Sequence, residues 1–319
     1  TVLFGNLRDA ADLPNGTFAN AGPDWKLIVD FPFDEPGHSP LEDLERLEGF
    51  RQSGSSWSTL CWLPSFFTAP TMDILGRLVR LNHVLASDQR FAEATASLSP
   101  VARAAAKPQL SAMQMAARTQ LEAALLGAYG VTRADEKVVD LSHSLSDHFP
   151  SLKAGLTIAP PTKASLREAV DQVLDQALLH TYPAAPDLGS EVKPTEVRKV
   201  ADLCSDAVVE PDRRLVVADQ SDRKLLARIA NPLQLGVQSE QAFKLAASAE
   251  KWDTTFNKAI NQARQNGVTN YTVGLVREAI NSPQPMGLTA QLENLIILVW
   301  AHSTSHTFRE HGGPAGPTV

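Results

Sequence analysis

Short, almost unbroken apolar runs open the chain, and later stretches return to apolar residues every three or four positions. Thr1-Val-Leu-Phe4, the apolar core of Trp25–Phe33 and Trp57–Leu63 are runs of the first kind, the pattern of strands buried on both faces. Between the second and third run, Ser39 precedes Pro40, and acidic residues follow. That order predicts a helix with Ser39 as its N-cap, Pro40 at its first position and acids in its first turn. Leu41, Leu44 and Leu47 supply its expected apolar stripe. Strand, helix, strand predicts a βαβ unit with parallel pairing, so residues 1–67 read as an α/β layer. Pro32 and Pro36 predict that the chain leaves the sheet just after Asp30.

Residues 68–181 read as helical. Pro70 opens one helix, with Ile74, Leu75, Leu78, Val79, Leu81 and Leu85 at helical spacing. A second carries Leu110, Met113, Ala117, Leu121 and Ala124 and stops at Tyr129-Gly130. Residues 131–161 show no usable period, and a third helix follows Pro160-Pro161, with Ser165 and Glu168 as its capping box. Tyr182–Ser190, rich in Pro, Gly and small residues, reads as a boundary. Residues 191–310 then read as a helical domain with a β-hairpin. Thr195 caps a helix that turns Val197, Val200, Ala201 and Cys204 inward, and Val208–Val217 is the hairpin, turning at Glu210–Arg213. Further helices are expected near 222–230, 239–265, 272–281 and 289–303. The fold class is therefore α/β at the N-terminal end followed by mainly helical domains, with a winged-helix-like C-terminal part. Residues 311–319 read as a flexible Gly/Pro linker, and with the Thr1 start they predict a piece of a longer chain.

Composition narrows the function classes. The 43% hydrophobic content is enough for a real core, and the disordered-chain signature is absent. A net charge of −7 gives no global field for nucleic acid or an anionic membrane. No apolar run reaches the roughly 18 residues that span a bilayer. Cys61 and Cys204, far apart and without metal-like spacing, read as reduced buried thiols, which predicts a soluble cytoplasmic protein with no membrane partner.

Candidate chemistry is sparse. A phosphate cradle needs Gly-rich backbone and a Lys, and neither G-x-x-x-x-G-K-[ST] nor G-x-G-x-x-G occurs. Leu27-Ile-Val-Asp30 does end an apolar strand on an acid, as a nucleotidase places its metal-organising carboxylate. Asp30, Asp34 and Glu35 are therefore the nucleotide-facing candidates, against the plainer reading of strand-end acids. Phe256–Arg277 has the outline of a helix-turn-helix, with the 208–217 hairpin as a wing. That makes Arg213, Arg214, Tyr271, Thr272 and Arg277 the DNA-contact candidates, against an αα-hairpin packed in a helical domain. His302 with His306 and His311 lack the ligand count of a metal site, and His143 with Asp147 and His148 form an acid/His cluster of a kind that can bind metal, as in a metal-dependent hydrolase built on 140–148, against the plainer reading of an amphipathic surface segment. There is no Gly-x-Ser-x-Gly elbow, and neither Cys has a local signature that would recruit a His, so no catalytic residue or metal ligand is assigned.

Several blocks together resemble a family. They are Trp25-Lys-Leu-Ile-Val-Asp-Phe-Pro-Phe-Asp34, Trp62-Leu-Pro-Ser-Phe-Phe67, Leu75-Gly-Arg-Leu-Val79, Pro285-Met-Gly-Leu288 and Leu295-Ile-Ile-Leu-Val-Trp-Ala301. They resemble the PglY and BREX-system ATPases of bacterial phage resistance. The resemblance implies a long P-loop ATPase that uses ATP and Mg and works beside other defence-system proteins such as a DNA methyltransferase, with DNA as a candidate partner. Since this segment has no P-loop, no cofactor is assigned to it and it is expected to be inactive alone. The expected role is docking, lid or relay, with a DNA-binding helix-turn-helix or winged-helix module as the alternative.

Overall fold

The computed structural model describes residues 1–22, 24–141, 144–310 and 313–314, and divides into two units, Thr1–Ala177 and Leu178–Val319. In the first unit, β1 (Val2–Phe4), α1 (Asn15–Phe18), β2 (Lys26–Val29), α2 (Pro40–Gln52) and β3 (Thr59–Trp62) follow in order. The three strands pair in parallel in the order β1-β2-β3, with Ile28 opposite Leu3 on one side and Cys61 on the other. Continuous apolar strands are explained by two cores, one on each face of the sheet. Leu27, Val29, Leu60 and Trp62 pack with Tyr129, Phe149 and Val173. Ile28 and Cys61 pack with Leu7, Phe18, Leu47 and Leu152.

The stripe expected on α2 is rotated. Leu41 is 49% exposed, whereas Pro40, Asp43 and Leu47 are buried. Asp43 lies three residues after Pro40 and four before Leu47, so it shares their face.

The two margins of the sheet differ. Segment 148–152 covers β3: Cys61 N–H donates to Pro150 O (3.0 Å), Leu63 N–H to His148 O (2.9 Å) and Leu152 N–H to Thr59 O (2.9 Å). That irregular cover lies within 131–161, where the sequence carries no period. On β1, the inner main-chain groups are those of Thr1 and Gly5, whose bonds to Leu27 and Val29 are 2.9 and 3.2 Å. The alternation of a parallel ladder turns the N–H and C=O groups of Val2 and Phe4 outward. Their side chains are 44% and 67% exposed.

Helices α3 (Ala69–Leu85), α4 (Asp88–Ala94) and α5 (Pro100–Ala128) form an arm, and α6 (Leu166–Thr181) lies against the sheet through Ala169, Val173 and Ala177. Ser87 and Ser99 cap α4 and α5 by accepting from Arg90 N–H (3.2 Å) and Ala102 N–H (3.3 Å). At its root the arm packs Phe67, Leu121, Ala124, Ala128 and Val139 together, with Leu75 and Leu78 of α3 alongside. The fully buried residues of α5 begin only at Ala117, so the half before it stands clear of the core. Ser165 and Glu168 meet as expected at the start of α6, Ser165 Oγ donating to Glu168 Oε2 at 2.9 Å.

The second unit contains α7 (Pro194–Val209), β4 (Arg214–Val216), α8 (Gln220–Ile229), β5 (Val237–Ser239), β6 (Ala242–Lys244), α9 (Ala246–Gln265), α10 (Val273–Ile280) and α11 (Ala290–Ser303). The expected hairpin at 208–217 is corrected. Helix α7 keeps its apolar period as far as Val209, Pro211 ends it, and Asp212 and Arg213 turn the chain with φ of 55° and 53°. The hairpin is β5–β6, turning at Glu240–Gln241, and β4 pairs antiparallel with β6 in a sheet ordered β4-β6-β5. The helix expected from 239 therefore starts at Ala246. Lys193, not Thr195, is the N-cap of α7, and its N–H donates to Glu196 Oε2 (2.8 Å).

The core of this unit forms around α11. Phe256 is fully buried between Trp252 and Trp300, with ring centroids 5.5 and 5.0 Å away. Burying such a ring contributes about 2–3 kcal/mol. Both indoles are satisfied: Trp252 Nε1 donates to Leu233 O (2.8 Å) and Trp300 Nε1 to Asp253 Oδ1 (3.2 Å). Among the described residues no helix is long and apolar enough to cross a membrane.

Candidate functional site

In a parallel α/β layer the strand ends that point toward the first turn of the following helices form the natural crevice for chemistry. Here that end gathers Asp30, Asp34, Glu35, Asp43 and Arg8. Asp30 follows β2 directly and is 3% exposed. Its main chain is pinned on both sides: N–H to Trp62 O (3.0 Å), and the main-chain oxygen to the Tyr129 hydroxyl (2.6 Å). Its Oδ1 accepts from Leu7 N–H (3.1 Å) and Phe31 N–H (2.8 Å).

Asp43 enters from the first turn of α2, 2% exposed, and its carboxyl hydrogen-bonds that of Asp30. Asp43 Oδ1 receives no N–H or O–H donor. Burial raises both acids well above the usual carboxylate range, and in Asp43 the neighbouring charge of Asp30 adds to it. Two carboxyls in contact hold one proton between them. The two main-chain donors on Asp30 keep its carboxyl below that of Asp43, and the pair titrates as a unit. Cys61 lies close by on β3, and burial pushes its thiol up as well.

Asp34 stands outside this pair. Arg8 holds it as a two-pronged fork, Nε to Oδ2 at 2.6 Å and Nη2 to Oδ1 at 3.1 Å, while Asn6 Nδ2 (2.9 Å) and Glu35 N–H (2.7 Å) also donate to Oδ1. The bonds from Arg8 hold the Asp34 carboxyl down at about 2. Glu35 is largely exposed, with its Oε2 3.7 Å from Arg8 Nη2. Arg46 staples the preceding loop: it donates to Leu7 O, to Leu13 O (2.7 Å) and to Asn15 Oδ1 (2.9 Å), and its guanidinium sits 4.9 Å from the Phe18 ring centroid.

The structure thus brings Asp30, Asp34 and Glu35 to one end of the sheet, but gives them different tasks. Asp30 holds a loop by its N–H groups, Asp34 is neutralised by Arg8, and Glu35 faces solvent. Asp43, Arg8 and Arg46 were not foreseen. The Pro40, Asp43, Leu47 spacing was a signal for Asp43, but the two arginines leave none at this range in sequence. Among the described residues no group of three or more His, Cys, Asp or Glu side chains is placed to hold a metal ion. His143 and His311 lie outside the described residues. His306 stacks on Trp300 at 4.5 Å, and His302 Nδ1 is 3.2 Å from Ser205 Oγ.

Beside this end of the sheet lies an apolar cleft of about 340 Å³. Phe31 and Phe33, stacked at 5.7 Å, form one wall, Leu75, Leu78 and Leu121 the other, and Arg118 and Glu122 its polar rim.

In the second unit the DNA-contact candidates are dispersed. Arg213 Nη2 donates to Ser303 O (2.8 Å) at the end of α11. Arg277 pairs with Glu293 Oε2 (3.2 Å) and Asn294 Oδ1 (2.6 Å) at its start. Ten residues of helix separate those anchor points by about 15 Å. Thr272 caps α10 by accepting from Leu275 N–H (3.4 Å), Tyr271 lies under Arg264 at 5.5 Å, and Arg214 is exposed on β4. Helix, turn and helix are present, with Gly267 at φ +82° in the turn.

Against known proteins, the family model described as "PglY fourth domain" matches residues 1–182, and that described as "BREX System ATPase PglY protein 5th domain" matches residues 195–301. No solved structure matches the chain.

Proposed function

Since the chain belongs to the PglY family of BREX-system phage-resistance ATPases, whose fourth and fifth domains it matches, we propose that its two units form a docking and relay region without bond-making chemistry of their own. The observation that carries this is the state of the strand-end acids. A nucleotidase keeps such a carboxylate open to a metal and its phosphate. Here Asp30 is sealed by Leu7, Phe31 and Asp43, and Asp34 is occupied by Arg8. No phosphate cradle stands in the sequence to meet them. ATP and Mg are then handled by other regions of the family's proteins. The partners are other proteins of the same defence system, a DNA methyltransferase among them, in the cytoplasm, where two buried unbridged thiols are at home.

Phosphate release from ATP and Mg by the purified 319-residue chain tests this reading. We expect none above the buffer blank, and steady turnover would overturn it.

A second reading, a winged-helix DNA module, draws on the order helix, strand, helix, hairpin and on the β4-β6-β5 sheet. It predicts duplex binding that weakens with salt and with Arg214→Glu. A gel shift at low salt that leaves the duplex unbound would end it.

A further inference from the structure

The first turn of α2 closes over the end of β2 without the usual fastening of a helix start. Ser39 stands in the N-cap position with extended backbone, yet its side chain accepts no hydrogen bond from the turn. Just before it, Gly37 has φ +97°, with no atom within 4 Å of where a Cβ would stand. The inward face of the turn is Pro40 and Asp43. Asp43 is 2% exposed, meets the carboxyl of Asp30 and leaves Oδ1 without a donor.

The two acids are held unequally. Asp30 is fixed by its N–H on Trp62 O, by the Tyr129 hydroxyl on its main-chain oxygen, and by Leu7 and Phe31 N–H on Oδ1. Asp43 rides on the uncapped turn. While one proton lies between the carboxyls they attract, and once it leaves, two carboxylates touch in a site almost without water.

No group facing the pair is free to take up the second charge. Arg8 is committed to Asp34 by two bonds, and Arg46 to Leu7 O, Leu13 O and Asn15 Oδ1. His38 is turned to Glu42, Nδ1 to Oε2 at 2.7 Å. The other titratable groups at this end are the acids Asp9, Asp12, Asp34, Glu35 and Glu42, with the Cys61 thiol and the Tyr129 hydroxyl, and none of them brings positive charge.

We infer that the first turn of α2 is a proton-latched lid over Asp30, closed while the two carboxyls share a proton and swung outward about Gly37 once that proton is lost. Burial makes the closed state bind the proton more tightly than the open one. Opening therefore grows with pH, by about tenfold per pH unit for one proton released. The inference goes beyond the docking reading, since an open lid uncovers Asp30 without supplying a phosphate cradle.

The test is electron paramagnetic resonance of a nitroxide on Leu41→Cys in the 319-residue chain. Leu41 lies in that turn and is 49% exposed, whereas Cys61 and Cys204 are buried and stay unlabelled. The fast-moving part of the spectrum should grow between about pH 6 and about pH 9 and shrink again on return. Asp43→Asn keeps a donor toward Asp30 without a charge, so in that background the label should stay slow throughout. A second label on Glu48→Cys, further along α2, should not respond, and circular dichroism of each variant should match the parent's. Equal spectra of the parent at both pH values overturn the inference. The same growth in Asp43→Asn overturns it as well, as does a matching response at Glu48→Cys, which means that the whole helix lets go. None of these results bears on ATP turnover, so the docking reading fails or survives separately.

Discussion

Asp43 is an acid that burial has made a proton carrier. Its pKa is pushed up to about 8 and that of Asp30 to about 7, both from an ordinary value near 3.8. The folded state therefore keeps a proton that the unfolded chain releases near pH 4. The stabilisation is complete below that value and is lost as pH rises through 7 and 8. Asp34 works in the opposite sense: the Arg8 bonds lower its pKa to about 2, so its contribution is present above pH 4 and lost as pH falls toward 2. Replacing Asp43 by Asn keeps a donor toward Asp30 without a charge to bury. In thermal melts Asp43→Asn should equal the parent near pH 5 and exceed it by about 1–2 kcal/mol near pH 9. Equal melting temperatures at both pH values would show that the pair does not hold its proton.

At the scale of elements, the β5–β6 hairpin depends on one missing side chain. A Cβ on Gly236 would lie 2.3 Å from Phe243 Cζ and 2.8 Å from Lys244 O. Phe243 is fully buried and cannot swing away. Gly236→Ala should cost about 2 kcal/mol by overpacking, read as a lower midpoint in urea with an unchanged slope. Elements of this unit differ in how far their sequence announces them. Helices α10 and α11 were legible because their apolar period runs over two turns or more. Strands β4, β5 and β6 are three residues each, too short for alternation to stand out from the helical period on either side. The apolar pair Val208-Val209 and Leu215-Val-Val217 looked like two arms of a hairpin, when the first closes a helix and the second pairs with β6.

At the scale of the molecule, the parallel layer was legible because a strand covered on both faces must be apolar at every position, as Lys26–Val29 and Thr59–Trp62 nearly are. Segment 148–152 was not, because it contributes main-chain hydrogen bonds, which any residue can supply. The candidate site was half legible. Strand periodicity places Asp30, but the contacts that define its state come from Leu7, Asp43 and Tyr129, up to 99 residues away.

The unequal margins of the parallel layer fix the direction in which it can grow. The 148–152 crossing seals β3, whereas Val2 and Phe4 present main-chain groups outward from β1. Lateral extension is therefore one-way. Any additional strand takes its place beside β1, so the sequence of ribbons across a widened sheet is determined before the newcomer arrives.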